Sequence, residues 1–206
     1  MASFTNYAQN KIIDNLFRGQ SNSLPATFYV ALIAPTKGYW SASTVYSSGD
    51  TVIPTGGNGH IYKCTTAGTS GSSAPSWNTG AASTTSDGTA VWTEQTTAIN
   101  GGTFPEAAYT GYARVSVASS LANWAGTQGA GTVTASSGSS GTTSNNNAIT
   151  FGAPTSGPTI IFGVVLMDAS SSGNAWTWGS LSVSKTLNNG DAAPSFPAAA
   201  LSQALS

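Results

Sequence analysis

Acid–base or metal chemistry in this chain would have to run through one histidine, one cysteine and seven carboxylates. His60 lies in "GGNGHIY", at a Gly-rich hairpin, where a histidine reads as an exposed turn residue rather than a general base. Asp14, Asp50, Asp87, Glu94, Glu106, Asp168 and Asp191 stand singly, and their spacing does not suggest the paired carboxylates of a glycosidase. Asp50, Asp87 and Asp191 each neighbour a glycine, which is turn chemistry. One Cys and one His cannot close a tetrahedral metal cage, and a single cysteine forms no internal disulfide. Cys64, in "IYKC", reads instead as a small buried hydrophobe. The sequence has no G-x-S-x-G, no phosphate loop with its Lys and no two-His metal motif. The glycines of "GTQGAGTVTASSG" lack the strand and helix a nucleotide site needs. The expectation is a protein that is not an enzyme, with no catalytic residue, no cofactor and no metal.

Aromatic rings are the remaining signal: six Trp, seven Tyr and seven Phe in a charge-poor chain. Such rings offer large apolar faces at little entropic cost, so they serve sugar stacking, subunit contacts or core packing. Trp40, Tyr46, Tyr62, Trp77 and Trp92 gather around the hairpin "GDTVIPTGGNGHIYKCTTAGTS" and are the candidate glycan-stacking residues. Their spacing also fits the core of a unit too small to have any other.

Composition narrows the partners. Charged residues make up 6% of the 206, against a usual share of about 25%. Six basic and seven acidic residues build no positive field, so nucleic acid is not an expected partner. A net charge of -1 gives a free monomer little protection against association, which suits a protein packed into an assembly. The N-terminal residues contain no long apolar core of a signal peptide, and no run of about 20 apolar residues occurs, so neither a cleavable signal nor a membrane span is expected.

The elements that must position these residues are mostly strands. Phe4, Ala8, Ile12 and Leu16, with Ile13 and Phe17, recur at three- and four-residue steps and predict an amphipathic helix, capped by Ser3 and ended by Gly19. Asp14 and Arg18 can pair along it, worth a few tenths of a kcal/mol. Strands are predicted at 26–35, 111–118, 147–154, 159–169, 175–187 and 195–206, separated by turns such as "SSSGN" and "NNGD". The hairpin reads as one strand ending at Val52 or Ile53 and a second through Ile61, Tyr62 and Cys64.

The expected fold is mainly β: an antiparallel β-sandwich body with an N-terminal α-helix and a small inserted β module. The organisation would be helix 1–19, body 20–35 plus 99–206, and inserted module 36–98. Within the body, 125–147 is Gly/Ser/Thr-rich and reads as a loop or arm, flexible unless a partner orders it. The helix needs a surface to cover, either its own sandwich or a neighbouring subunit. Phe4, Ile12, Ile13, Leu16, Phe17 and Arg18 are therefore the candidate assembly contacts, together with the 125–147 arm.

The stretches "NKIIDNLFRGQ", "LPATFYVALIAP", "YTGYARVSV", "NAITFGAPT" and "IFGVVLMDASSSGNAWTWGSLSVSKTLNNGDAAPSFPAAAL" follow one another in an order that resembles a family of tailed-bacteriophage tail-fibre-like or minor virion proteins. The residues that carry it are Phe28 to Ile33, Gly111 to Val117, Trp178 to Leu181, Lys185 and Gly190–Asp191. The chain departs from the pattern in placing Ala199 and Ala200 where a Gly often precedes the last Leu. Residues 36–98, with a Trp, a "VY..GD.V" strand, a Gly turn and a "Y.C" strand, resemble chitin-type carbohydrate-binding modules. In sugar-binding members aromatics directly follow the "Y.." strand, whereas here "TTAGTSGSS" follows.

The resemblance implies a virion structural protein made in the host cytoplasm, either a tail or tail-fibre component or a capsid decoration (cement) protein. Its partners would be other virion proteins, major capsid or tail proteins, and copies of itself, a trimer being the common arrangement of decoration proteins. The alternative reading is an adhesin that binds host-surface glycan through 36–98.

Overall fold

A computed structural model describes residues 3–204. Met1 and Ala2 of the expected helical segment, and Leu205 and Ser206 of the expected last strand, lie outside them. The protein is mainly β, with antiparallel sheets and one N-terminal helix, consistent with the expected sandwich class.

In chain order the elements are β1 (Ser3–Phe4), α1 (Asn6–Phe17), β2 (Thr27–Ile33), β3 (Val45–Tyr46), β4 (Thr51–Val52), β5 (Tyr62–Thr66), β6 (Gly68–Thr69), β7 (Thr84–Asp87) and β8 (Ala90–Glu94). There follow α2 (Thr96–Asn100), β9 (Val115–Ala118), β10 (Thr142–Ser144), β11 (Ile149–Thr150), β12 (Thr159–Met167), β13 (Ala175–Leu187), β14 (Ser195–Phe196) and β15 (Ser202–Ala204). The expected strands at 111–118, 147–154 and 195–206 shrink to short pieces, because turns and Pro197 break their ladders.

The main sheet runs β1-β13-β12-β2-β9. Its central strands, "TFYVALI" and "TIIFGVVLM", are buried on both faces, which explains why they read as continuous apolar runs rather than alternating ones. Val30, Leu32, Val164 and Leu166 face one core, completed by Tyr109, Ile149, Phe151 and Leu201. Ala31, Ile33, Phe162 and Val165 face a second core, completed by Ile53, Ile61 and Ile99. The base of the hairpin and α2 therefore cover the back of the main sheet. A smaller sheet, β4-β5-β8-β7, holds a third core of Trp40, Tyr46, Val52, Tyr62, Cys64, Ala90 and Trp92. Cys64 is buried, as its setting in the strand suggested, and burial pushes its thiol pKa up.

The N-terminus departs from expectation in its cap. Ser3 does not cap the helix, because Ser3 and Phe4 pair with Trp178 and Thr177 as strand β1. Thr5 takes the role instead: its backbone is extended, and its hydroxyl accepts from the Ala8 N–H at 3.3 Å and donates to the Ala175 carbonyl. Gly19, at φ +65°, ends the helix as expected.

The segment 125–147 follows a path set by its own hydrogen bonds and by its seam with the body. Gln128 bonds Thr134 and Ala135, the Asn146 amide reaches Thr132, and Thr142–Ser144 pair with β15. Asn145, 1% exposed, binds Leu201 N–H through its side-chain oxygen and the Asn147 and Pro197 carbonyls through its amide. Ala199 donates to the Asn145 carbonyl with φ at +64°, a left-handed conformation that costs an L-residue with a Cβ about 1–2 kcal/mol. A199G is expected to raise stability by about 1 kcal/mol, read as a higher urea midpoint at unchanged slope.

Candidate functional site

Carboxylates are rare here, and the geometry spends three of them on internal scaffolding. Asp87 is 4% exposed. Its Oδ2 accepts from the indole N–H of Trp40 at 2.7 Å and of Trp92 at 3.0 Å, while Oδ1 accepts from the Gly71 N–H at 2.7 Å. A tryptophan can enter a core only if its N–H keeps a partner, and one carboxylate serves two of them. The sequence reading of Asp87 as a turn residue is incomplete: it ends β7 before the Gly88 turn and also points into the core of the smaller sheet. The available signal was the pair of tryptophans in an otherwise small unit.

Glu94 is the second. It is 1% exposed and receives the Ala82 and Thr96 N–H groups, the Thr96 hydroxyl and the ring of His60, whose Nδ1 lies 2.9 Å from Oε1. His60 is therefore not a free turn residue: it is half-buried and tied to the last residue of β8.

Glu106 is the third, and it organises the "YAR" stretch. Arg114 grips both its carboxylate oxygens at 2.8 and 2.7 Å and also donates to the Ala169 and Ser172 carbonyls. Tyr112 donates to Glu106 Oε1 at 2.8 Å and accepts the Leu32 N–H at 3.0 Å. Burial alone would raise the Glu106 pKa, but the bonds from Arg114 and Tyr112 outweigh it and hold the carboxyl below its usual range. Burial, aided by the charge of Glu106, drives the Tyr112 phenol far above its ordinary value, so it stays a neutral donor.

The five candidate stacking residues do come together, as the core of the smaller sheet. Trp40, Tyr46, Tyr62 and Trp92 are at most 7% exposed, and Trp77 is half-buried on Tyr62, with ring centroids 4.4 Å apart. Their faces are spent on one another, since Tyr46 and Trp77 both pack against Trp92.

The candidate assembly residues divide. Phe4 and Ile12 are half-buried, and Ala8 is sealed where Tyr7 meets Trp176 edge-on at 5.6 Å. Beyond that point the helix leaves the sheet. Ile13, Leu16 and Phe17 are 47%, 69% and 81% exposed, and Leu24 beyond them is also exposed. Arg18 stays at the surface, paired with Asp14 at 2.7 Å.

A family model described as Podophage GP4 fiber I protein gp80 matches residues 78–204, more than half of the chain. The chain belongs to this family of bacteriophage fibre proteins. The gp80 match takes in β7 and β8 of the smaller sheet and the body from α2 to β15, and leaves α1 and β2 outside it. Glu94, the Glu106–Tyr112–Arg114 network and Asn145 all fall within the gp80 region. A search of curated proteins gives no match.

Two outcomes test these networks. D87A leaves two indole N–H groups unpaired inside the core of the smaller sheet, so it is expected to destabilise by about 3 kcal/mol, read in urea by tryptophan fluorescence. For Glu106 the folded pKa lies below the unfolded value of about 4.3. Its contribution is therefore complete above that value and lost as pH falls through the lower, folded one. The wild type is expected to lose stability steeply from about pH 5 to pH 3, and E106Q to start lower and fall less across the same window.

Proposed function

We propose that this fibre-family chain is a non-enzymatic structural component of the phage particle, displayed at its surface and fixed to a neighbouring virion protein by the outer half of α1. The observation that carries this is the run Ile13, Leu16 and Phe17, exposed on a helix whose inner half is firmly held by Thr5, Ala8 and Tyr7. Solvent-facing aromatic and branched side chains at successive turns are the usual anchors of an interface.

The family supports a place in the fibre apparatus over one in a capsid coat. Residues 36–98 form, in this reading, an inserted module projecting from the body. The low charge of the chain supports a homo-oligomer in the particle, with the 125–147 loop as its second contact. The acids and the single histidine favour no catalysis, because Asp87, Glu94, Glu106 and His60 are each committed to a structural bond. Glycan binding by the stacking residues of the module is disfavoured by their burial.

Antibody against residues 36–98, viewed by electron microscopy on intact particles, is expected to label the tail; label spread over the head would replace the fibre placement with capsid decoration. L16S/F17S changes exposed side chains only, so its stability should stay within about 0.5 kcal/mol of wild type. The variant is expected to be lost from purified particles, and its normal incorporation would rule out the helix as the anchor.

A further inference from the structure

The chain holds three Asn-Gly pairs, at 58–59, 100–101 and 189–190. Such a pair can lose its side-chain amide without an enzyme, because glycine has no Cβ to keep its backbone nitrogen away from the asparagine Cγ. The nitrogen must be free to turn toward Cγ, so a fold that spends the glycine N–H in a hydrogen bond suppresses the reaction.

Two of the pairs are locked in this way. The Gly101 N–H donates to the Thr97 carbonyl at 3.0 Å, and Asn100 Oδ1 accepts the Trp178 indole N–H at 2.7 Å. The Gly190 N–H donates to the Pro154 carbonyl at 2.9 Å, and the neighbouring Asn188 N–H is held by Asp191 at 2.8 Å. The pair at 58–59 differs on each count. It stands at the exposed tip of the hairpin, and no hydrogen bond among the described residues holds the Gly59 N–H. Gly56, Gly57 and Gly59 all have positive φ, and a Cβ on any of them would meet nothing within 4 Å, so the loop has room to move. The Asn58 side chain is folded back along its own backbone: Oδ1 accepts the His60 N–H at 3.1 Å, and the amide donates to the Tyr62 hydroxyl at 2.9 Å. This turn keeps Cγ beside the peptide that carries the attacking nitrogen, and the His60 N–H polarises the carbonyl to be attacked.

We propose that Asn58 is a modification site, the Asn-Gly pair that this fold leaves open to spontaneous deamidation. The Gly59 nitrogen gives its proton to solvent, and its electron pair forms a bond to Asn58 Cγ. The Cγ–Nδ2 bond breaks, and Nδ2 takes a proton and leaves as ammonia, closing a succinimide ring. Water then opens the ring at either carbonyl, giving aspartate or isoaspartate with no change of oxidation state. The product adds one negative charge to a chain whose net charge is -1, and it removes the N–H that Tyr62 receives. Asn58 and His60 line a cleft of about 300 Å³ shared with Ser182 and Ser184 of β13, and no carboxylate lines it. Deamidation therefore turns a neutral cleft at the seam of hairpin and body into an acidic one.

The test is peptide mapping by mass spectrometry of the folded full chain, incubated at neutral and at mildly alkaline pH. Asn58 is expected to convert roughly tenfold faster than Asn100 or Asn189, or more. Both aspartate and isoaspartate are expected, at a rate that rises with pH because the attacking nitrogen must be deprotonated. In guanidinium chloride, with the fold removed, the three pairs are expected to react at similar rates. N58Q, which keeps the amide and its charge state, is expected to show no acidic form on isoelectric focusing over the period in which the wild type gains one. Equal rates at the three sites in the folded chain overturn the proposal, as does an advantage of Asn58 that survives unfolding, since the sequence rather than the fold then selects it. Aspartate without isoaspartate means direct hydrolysis and overturns the attack by Gly59.

Discussion

The main sheet is apolar on both faces, and most of the architecture follows from covering it. β2 and β12 form its centre, and their side chains alternate between two cores without a polar face to give to water. A sheet of this kind is stable only between two layers. One layer comes from the end of the chain, where β11, β14 and the segment around Leu201 close over Val30, Leu32 and Leu166. The other comes from Ile53 and Ile61 at the base of the hairpin and from Ile99 in α2. Residues 36–98 are thus coupled to the body by shared apolar burial as well as by the chain.

A surface nearly free of charge gives the few ionised groups a different use. In a typical domain carboxylates sit outside and contribute little. Here Asp87, Glu94 and Glu106 turn inward and each collects at least three hydrogen bonds, which offsets the cost of taking a charge out of water. Asp87 ties Trp40 to Trp92, Glu94 ties the hairpin to the start of α2, and Glu106 holds Arg114, which in turn reaches the 169–172 loop.

The long polar loop after Trp124 illustrates the same economy. It carries few apolar side chains, so its path is fixed by amides and hydroxyls, with Asn145 and Asn146 holding it to the C-terminal segment and to its own start. Together with the main sheet it frames a cleft lined by Phe4, Phe28, Trp124 and Thr177.

The sequence by itself determined the fold class, the helix with its Gly19 end, the central strands and the burial of Cys64, because each is written in local patterns: apolar periodicity, branched runs and turn residues. It also placed the five aromatics in a common unit and pointed to a phage tail-fibre-like family, which the gp80 match over 78–204 supports. The tertiary structure alone decided which residues those elements meet. Ser3 lost its cap to strand pairing with Trp178, Asp87 proved to be an indole acceptor as well as a turn former, and His60 found Glu94 across 34 positions. The helix stripe was continuous in sequence, yet only its first half met the sheet. Hydrogen bonds and contacts between distant segments depend on how strands register and layers stack, and that information lies in no single stretch of the chain.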